Sequence, residues 1–267
     1  INFDEFNILS YGIRYDSYKL DPNDDALSSA NRAVGYPLAE IDENELSFKF
    51  GWLSAVTEEI NAFFQYAEGF KAPDYDSANL SFNNLAYGYG IVPNADLSPE
   101  TSKGTEIGFR GDNGVRSWSI TRFENQYEDF IESAVAGFDF INQIVLFQSQ
   151  NLDDVDINGS ELSFSRKLSD TLSLSYDHII ISGESDGAPL SSLSPDQAII
   201  GVKHLSLDEK FSANFYLSIV DESFSNFTGT CGRSGGECLT LPDREIFDLY
   251  TSCLLYTSDA ADETEGV

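Results

Sequence analysis

Apolar and polar residues alternate along this chain with a period of two, in long segments, which is the pattern of strands with two unlike faces. Leu9, Tyr11, Ile13 and Tyr15 share one face against Ser10, Gly12, Arg14 and Asp16. Leu46, Phe48, Phe50 and Trp52 oppose Ser47, Lys49 and Gly51, and Ile60, Ala62, Phe64 and Tyr66 oppose Asn61 and Gln65. Further on, Leu172, Leu174 and Tyr176 oppose Ser173, Ser175 and Asp177. Phe211, Ala213, Phe215, Leu217 and Ile219 oppose Ser212, Asn214 and Ser218. About ten such segments can be picked out. The one after Val115 is less regular: Trp118 and Ile120 share a face, but Phe123 and Tyr127 fall on the other. A bulge, or the end of an apolar band, would produce that.

The connections alternate between short and long. Tight turns are expected near Val56–Glu59, Gly111–Gly114, Ser169–Thr171 and Leu207–Lys210. Long polar connections lie at Leu20–Glu43, Asp74–Thr101, Gly183–Asp196 and Glu222–Arg244, and a shorter, more apolar one at Phe138–Gln143. An antiparallel meander with its short turns at one end and its long loops at the other is the plan of a transmembrane β-barrel, apolar face to lipid and polar face to the lumen. A soluble β-sandwich alternates in the same way with its apolar face inward. Segment length favours the barrel, because spanning strands need about 9–11 residues and sandwich strands are nearer 5–6, roughly. Tyr15, Tyr18, Trp52, Tyr66, Phe70 and Trp118 stand near strand ends, where interfacial aromatic girdles form. The expected fold is therefore all-β: an antiparallel transmembrane β-barrel segment with short periplasmic turns and long extracellular loops.

Composition narrows the function. The 267 residues carry 15 Lys+Arg against 45 Asp+Glu, a formal net charge of -30. Phosphate binding needs clustered Lys and Arg, so no nucleic-acid partner is expected. Aromatics make up 13 % of the residues, which disordered acidic chains lack. No apolar run reaches the about 18 residues of a transmembrane helix. With no Met and no signal peptide, the chain is expected to be part of a longer protein. Cys253–Glu263 reads C-L-L-Y-T-S-D-A-A-D-E, which resembles a translated transposon-end sequencing adapter. The expected division is thus a partial barrel over residues 1–252 and a non-native tail over 253–267.

Cys231 and Cys238 lie in a Gly/Ser-rich stretch and are expected to form a short loop disulfide outside the cytosol. No nearby Cys or His completes a zinc site, and no metal ligands are expected. Asp154-Val155-Asp156-Ile157-Asn158-Gly159 opens like a calcium loop, but its twelfth position is Ser165 where a Glu is required. It reads instead as an acidic loop edge running into a strand. His178 and His204 fall on the apolar parity of their strands and suggest interfacial positions. No Ser/His/Asp set or activated Cys is indicated, so the chain is not expected to be an enzyme.

Two stretches carry a family resemblance. Tyr66-Ala67-Glu68-Gly69-Phe70-Lys71-Ala72-Pro73 resembles the Y-x-x-G-F-R-A-P segment of TonB-dependent receptors, with Lys71 in place of the usual Arg. Pro93-Asn94-Ala95-Asp96-Leu97-Ser98-Pro99-Glu100-Thr101-Ser102 resembles their N-P-D-L-K-P-E-T-S segment. Glu106–Arg110 and Ile157–Leu162 resemble their E-L-G-L-R and I-x-G-x-E-L strands. The set is most similar to the haem/haemoglobin (haemoglobin/transferrin/lactoferrin-type) group. The resemblance implies an outer-membrane active transporter, about ten of whose roughly 22 strands lie here. It also implies energy delivered by the TonB complex through a plug domain not found in this sequence. Its ligand would be haem, a haem protein or a ferric siderophore complex, with no permanently bound cofactor. In many haem receptors a His between the two boxes ligates the iron; here Tyr75, Tyr87 and Tyr89 lie there instead, and Tyr can ligate ferric haem. A passive porin and a secreted glycan-binding β-protein are the other classes compatible with the pattern.

Overall fold

The computed structural model describes residues 6–23, 37–185, 187–190, 193–225 and 239–254. Its elements are β1 Asn7–Leu20, β2 Ile41–Ala55, β3 Ile60–Lys71, α1 Tyr75–Asn79, β4 Phe82–Asn84, β5 Tyr89–Ile91, β6 Glu100–Asp112 and β7 Arg116–Asp139. They continue with β8 Ile144–Lys167, β9 Leu172–Ser185, β10 Ala188–Pro189, β11 Gln197–Leu205, β12 Phe211–Val220, β13 Ser223–Ser225, β14 Leu239–Leu241 and β15 Arg244–Cys253. Ten strands make one antiparallel path in the order β1-β2-β3-β6-β7-β8-β9-β11-β12-β15. The two ends of that path do not meet among the described residues, so the sheet is open. The expected all-β meander is present, with one addition: the single helical turn α1.

Turn chemistry explains the short end. In the β6–β7 turn the Asp112 carboxylate accepts the Gly114 N–H at 2.7 Å, and Asn113 Oδ1 accepts the Arg116 N–H at 3.0 Å. Gly114 has φ +78°, a conformation that costs glycine nothing. Thr57 Oγ1 caps the β2–β3 turn, and the Ser206 hydroxyl donates to Asp208 in the β11–β12 turn at 2.6 Å. Asp208 is held below the usual carboxylate range by that bond and by the Lys210 N–H.

Strand register puts like with like across the sheet. Leu9 lies beside Trp52, Trp52 beside Phe64, Phe109 beside Ile120, Ile120 beside Leu162, and Leu162 beside His178. His204 joins the same stripe between Leu172 and Ala213. This apolar face is the exposed one: Tyr11, Ile13, Phe50, Ile107 and Leu249 are all accessible. A sandwich would bury it, whereas only ten hydrophobic residues are buried among the described ones. The barrel reading therefore prevails over the sandwich.

Those buried residues gather on the inner face at the long-loop end. One cluster joins Leu152, Val155, Ile157 and Leu190, with Phe123, Tyr127, Phe130, Ile181 and Leu193 against it. This explains Phe123 and Tyr127. The β7 register is unbroken from Arg116 to Glu128, so no bulge flips them; they point inward, where the next connection folds over them. Gly159 makes room, since a Cβ there would collide with the Phe123 ring. The second cluster joins Ala39, Ile41 and Ala78, with Tyr18 and Leu20 against it. Tyr18 thus faces inward and is not part of an outer aromatic girdle.

One expectation needs correction. Asp154–Gly159 is not a loop edge; it lies within β8, paired with β7 on one side and, from Val155, with β9 on the other. The connection at Phe138–Gln143 is short, as expected, and forms the tip of a hairpin whose strands, β7 and β8, each run 24 residues. Cys231, Cys238 and residues 255–267 lie outside the described residues, and Cys253 is an exposed free thiol at the end of β15.

Candidate functional site at the long-loop end

The segment between the two sequence boxes, residues 72–99, is a folded strap. It begins where Pro73, fully buried, ends β3. Asp74 then caps α1, its carboxylate accepting the Ser77 N–H at 2.7 Å. Asn79 is buried at the end of that turn and pairs with the Ala39 backbone as a second strand would: its Oδ1 accepts Ala39 N–H at 2.8 Å and its Nδ2 donates to Ala39 O at 3.4 Å. This ties the strap to the connection between β1 and β2.

On its other side the strap is stitched to the upper half of β8. β5 runs parallel to β8, Tyr89 beside Val145 and Ile91 beside Phe147. The Val92 N–H donates to Phe147 O at 2.9 Å, and Val145 N–H donates to Gly88 O at 3.0 Å. Below this, Gln148 Nε2 donates to Pro93 O at 2.8 Å and Asn94 Nδ2 to Ser149 O at 2.9 Å. Asn151 closes the seam: its Oδ1 accepts Ser98 N–H at 2.9 Å, while its Nδ2 donates to Ser98 O at 3.0 Å and to Asp129 O at 2.7 Å. Asp129 has φ +56°, so β7 is irregular at this height and its carbonyl is free to accept.

Glu100 is the node at the base. It opens β6 opposite Lys71, and the two form an ion pair at 3.6 Å. Its buried carboxylate also accepts the Ile131 N–H at 3.2 Å. β6 pairs with β7 only as far as Glu128, so that N–H lies beyond the backbone ladder and the side chain completes it.

The box residues thus divide by role. Pro73, Pro93 and Glu100 are buried, and Asn94, Leu97, Pro99 and Ala72 are half-buried in the seam. Lys71 and Asp96 reach solvent, and Phe70 continues the outward parity of β3. The three tyrosines differ in exposure. Tyr75 is exposed at the start of α1, Tyr87 is exposed on the turn before β5, and Tyr89 is half-buried with its ring 6.3 Å from Phe82. Sequence reasoning missed Asn79, Gln148 and Asn151. The polar run Gln148-Ser149-Gln150-Asn151, between two apolar stretches of one long segment, was the available signal.

Hollows open along the inner face. A groove of about 420 Å³ is lined by Gln65, Ser102, Glu106, Thr121, Asn125 and Glu161, a polar lumen wall. Nearer the loops, a cleft of about 590 Å³ has Leu190, Leu193 and Pro189 as its apolar floor and Asp196, Asp221, Glu222 and Asp243 on its rim. Asp196 also has a structural task, accepting the Ile181 N–H at 2.8 Å. No group of three or more His, Cys, Asp or Glu among the described residues is placed to hold a metal ion. The arrangement sets a folded strap above a polar inner wall.

Comparison with known proteins agrees with this architecture. The family described as TonB dependent receptor-like, beta-barrel matches residues 1–253. The chain is 25 % identical over 221 residues to hemoglobin and hemoglobin-haptoglobin-binding protein A of Haemophilus influenzae, covering 76 % of this chain and 20 % of that protein. It is 30 % identical over 176 residues to hemoglobin-binding protein A of the same organism, covering 58 % of this chain and 17 % of that protein. The chain therefore spans about a fifth or less of the curated relatives it matches. Among solved structures, the copper transporter OprC superposes with a TM-score of 0.73 at 18 % identity, over 96 % of this chain and 39 % of that one. The siderophore receptor PirA from Acinetobacter baumannii gives 0.66 at 17 % identity, over 96 % and 38 %. At that identity the likeness is one of fold.

Proposed function

The chain belongs to the TonB-dependent receptor β-barrel family, and from that premise we propose that it is part of an outer-membrane active transporter for an iron-containing ligand, haem or haem taken from haemoglobin. The observation that carries the ligand class is its similarity to hemoglobin-binding proteins, over 76 % of the chain for one and 58 % for another. In this reading the short turns face the periplasm, the exposed apolar stripe meets lipid, and the strap and long connections face outward. The polar inner wall passes the ligand inward, driven by the TonB complex acting on a plug domain elsewhere in the protein. Tyr75, Tyr87 and Tyr89 are the candidates for contact with ferric haem. Substrate import, not chemistry on the substrate, is the activity.

A second reading, a ferric-siderophore receptor, is favoured by the absence of His between the boxes. Growth separates the two. The intact receptor is expressed in a host that lacks its own haem and siderophore receptors and cannot make haem. Growth on haemin or haemoglobin that requires TonB supports the first reading. TonB-dependent iron uptake from ferric siderophores without growth on haemin selects the second. Uptake independent of TonB sinks both and leaves a passive pore.

A further inference from the structure

The β7–β8 hairpin and the strap end together in an apolar crest. β5 runs parallel to β8 with Tyr89 beside Val145, so the turn just before β5 lies level with residues 141–144. Leu85 is 62 % exposed there, Phe140 84 % and Ile141 94 %. Phe138 stands edge-on to Phe140, ring centres 5.2 Å apart. Apolar side chains gathered at one solvent-facing spot mark an interaction site.

Three observations choose the occupant. The outward apolar stripe ends near Arg122, whose guanidinium donates to Asn158 at 2.7 Å. The 18 residues from there to Phe140, at about 3.3 Å each and a tilt near 45°, set the tip on the order of 40 Å beyond the lipid band. Lipid is thus out of reach. The crest is a projection, whereas small molecules bind in concave sites, so a free small ligand does not fit it either. Finally, residues 72–99 hold three carboxylates and residues 123–158 hold eight, with no Lys or Arg in either stretch. Such a field selects a basic counter-surface.

The crest is also pre-organised. The strap is fixed to β8 by the seam already described, and at the tip Asp139 accepts the Ile141 N–H at 2.8 Å and the Asn142 side-chain N–H at 2.7 Å. A rigid apolar projection loses little freedom on binding.

We propose that Leu85, Phe138, Phe140 and Ile141 form the docking anchor for a soluble carrier protein with an apolar pocket rimmed by Lys and Arg, so that the receptor meets its iron compound on a protein. The outward direction of the loops rests on the transport reading above.

The test uses the intact receptor in lipid nanodiscs, haemoglobin as the protein probe and haemin as the free compound. The double variant Phe140→Ser/Ile141→Ser removes the tip; both positions are exposed, so the fold is retained, and heat-dependent gel migration checks this. Leu207→Ser removes an equally exposed apolar residue at the opposite end. The expected result is a haemoglobin Kd raised at least about tenfold in the tip variant, with haemin uptake and the Leu207→Ser receptor unchanged. Raising salt from about 50 to about 500 mM should weaken wild-type haemoglobin binding. An unchanged haemoglobin Kd in the tip variant overturns the anchor, and so does equal loss of haemin and haemoglobin. If wild type imports haemin but binds no haemoglobin, the anchor fails and the transport reading stands. If tip-dependent haemoglobin binding occurs without import of either compound, the anchor stands and the transport reading fails. Loss of receptor self-association in the tip variant, with haemoglobin binding intact, assigns the crest to a second copy and overturns the proposal.

Discussion

Asn151 carries the sharpest consequence of the strap's architecture. Its side-chain amide makes three hydrogen bonds, at 2.9, 3.0 and 2.7 Å, to both backbone groups of Ser98 and to the Asp129 carbonyl. Each such bond contributes about 1 kcal/mol net. The residue is half-buried, so water replaces part of what Asn151→Ala removes, and the expected local cost is about 2 kcal/mol. That corresponds to a roughly 30-fold rise in the fraction of molecules with the seam open. Asn151→Asp is the more informative change. It keeps the acceptor for Ser98 N–H but turns two donors into a carboxylate oxygen facing two carbonyls. It should therefore open the seam more than Ala does at neutral pH. Its protection should improve as pH falls, because a protonated carboxyl can donate again. Hydrogen exchange of peptides covering residues 89–99, in the intact receptor in lipid, reads this directly. Wild-type protection in the Ala variant would show that the seam does not hold the strap. An Asp variant as protected as wild type would refute the donor assignment.

Other expectations follow from the same geometry. Phe215 lies in the middle of the outward stripe of β12, between Val202 and Leu249, and Phe215→Arg should cost about 2–4 kcal/mol in urea-unfolding midpoints measured in lipid; Asn214→Arg, on the inner face, should cost well under half of that. Gly159→Leu drives a side chain into the Phe123 ring and towards the Ile180 carbonyl, which a Cβ would approach to 2.6 Å. It should lower thermal stability by about 1–3 kcal/mol, with Phe123→Ala restoring only part of the loss. The Asp139 carboxyl is held below its ordinary range first by the Asn142 side chain, then by the Asn142 and Ile141 N–H groups. That stabilisation is present above the unfolded carboxyl's own titration and is lost as pH falls through the lowered one. Exchange at Ile141 and Asn142, corrected for its intrinsic pH dependence, should therefore rise in acid and should show no such step in Asp139→Ala.

The barrel was legible in the sequence because its two constraints are local. A period-two pattern fixes which residues share a face, and Asn113-Gly114 or Ser206–Lys210 fix tight turns through side chains a few residues away. Alternation is silent on which face is wet; the exposure of Phe50, Ile107 and Leu249 decides that. The site was less legible because its bonds span 53 residues from Ser98 to Asn151 and 40 from Ala39 to Asn79. Nothing local distinguishes an Asn that imitates a strand from one that faces water. The acidic stretch Asp154–Gly159 misleads for the same reason: in a soluble protein polar or acidic residues at Asp154, Asp156 and Asn158 suggest a strand end, but in a barrel they can continue it beyond the lipid. Once a strand leaves the bilayer its outward residues no longer need to be apolar, and the alternation that announced it fades. The box prolines and Glu100 therefore speak for the seam that holds the strap in place.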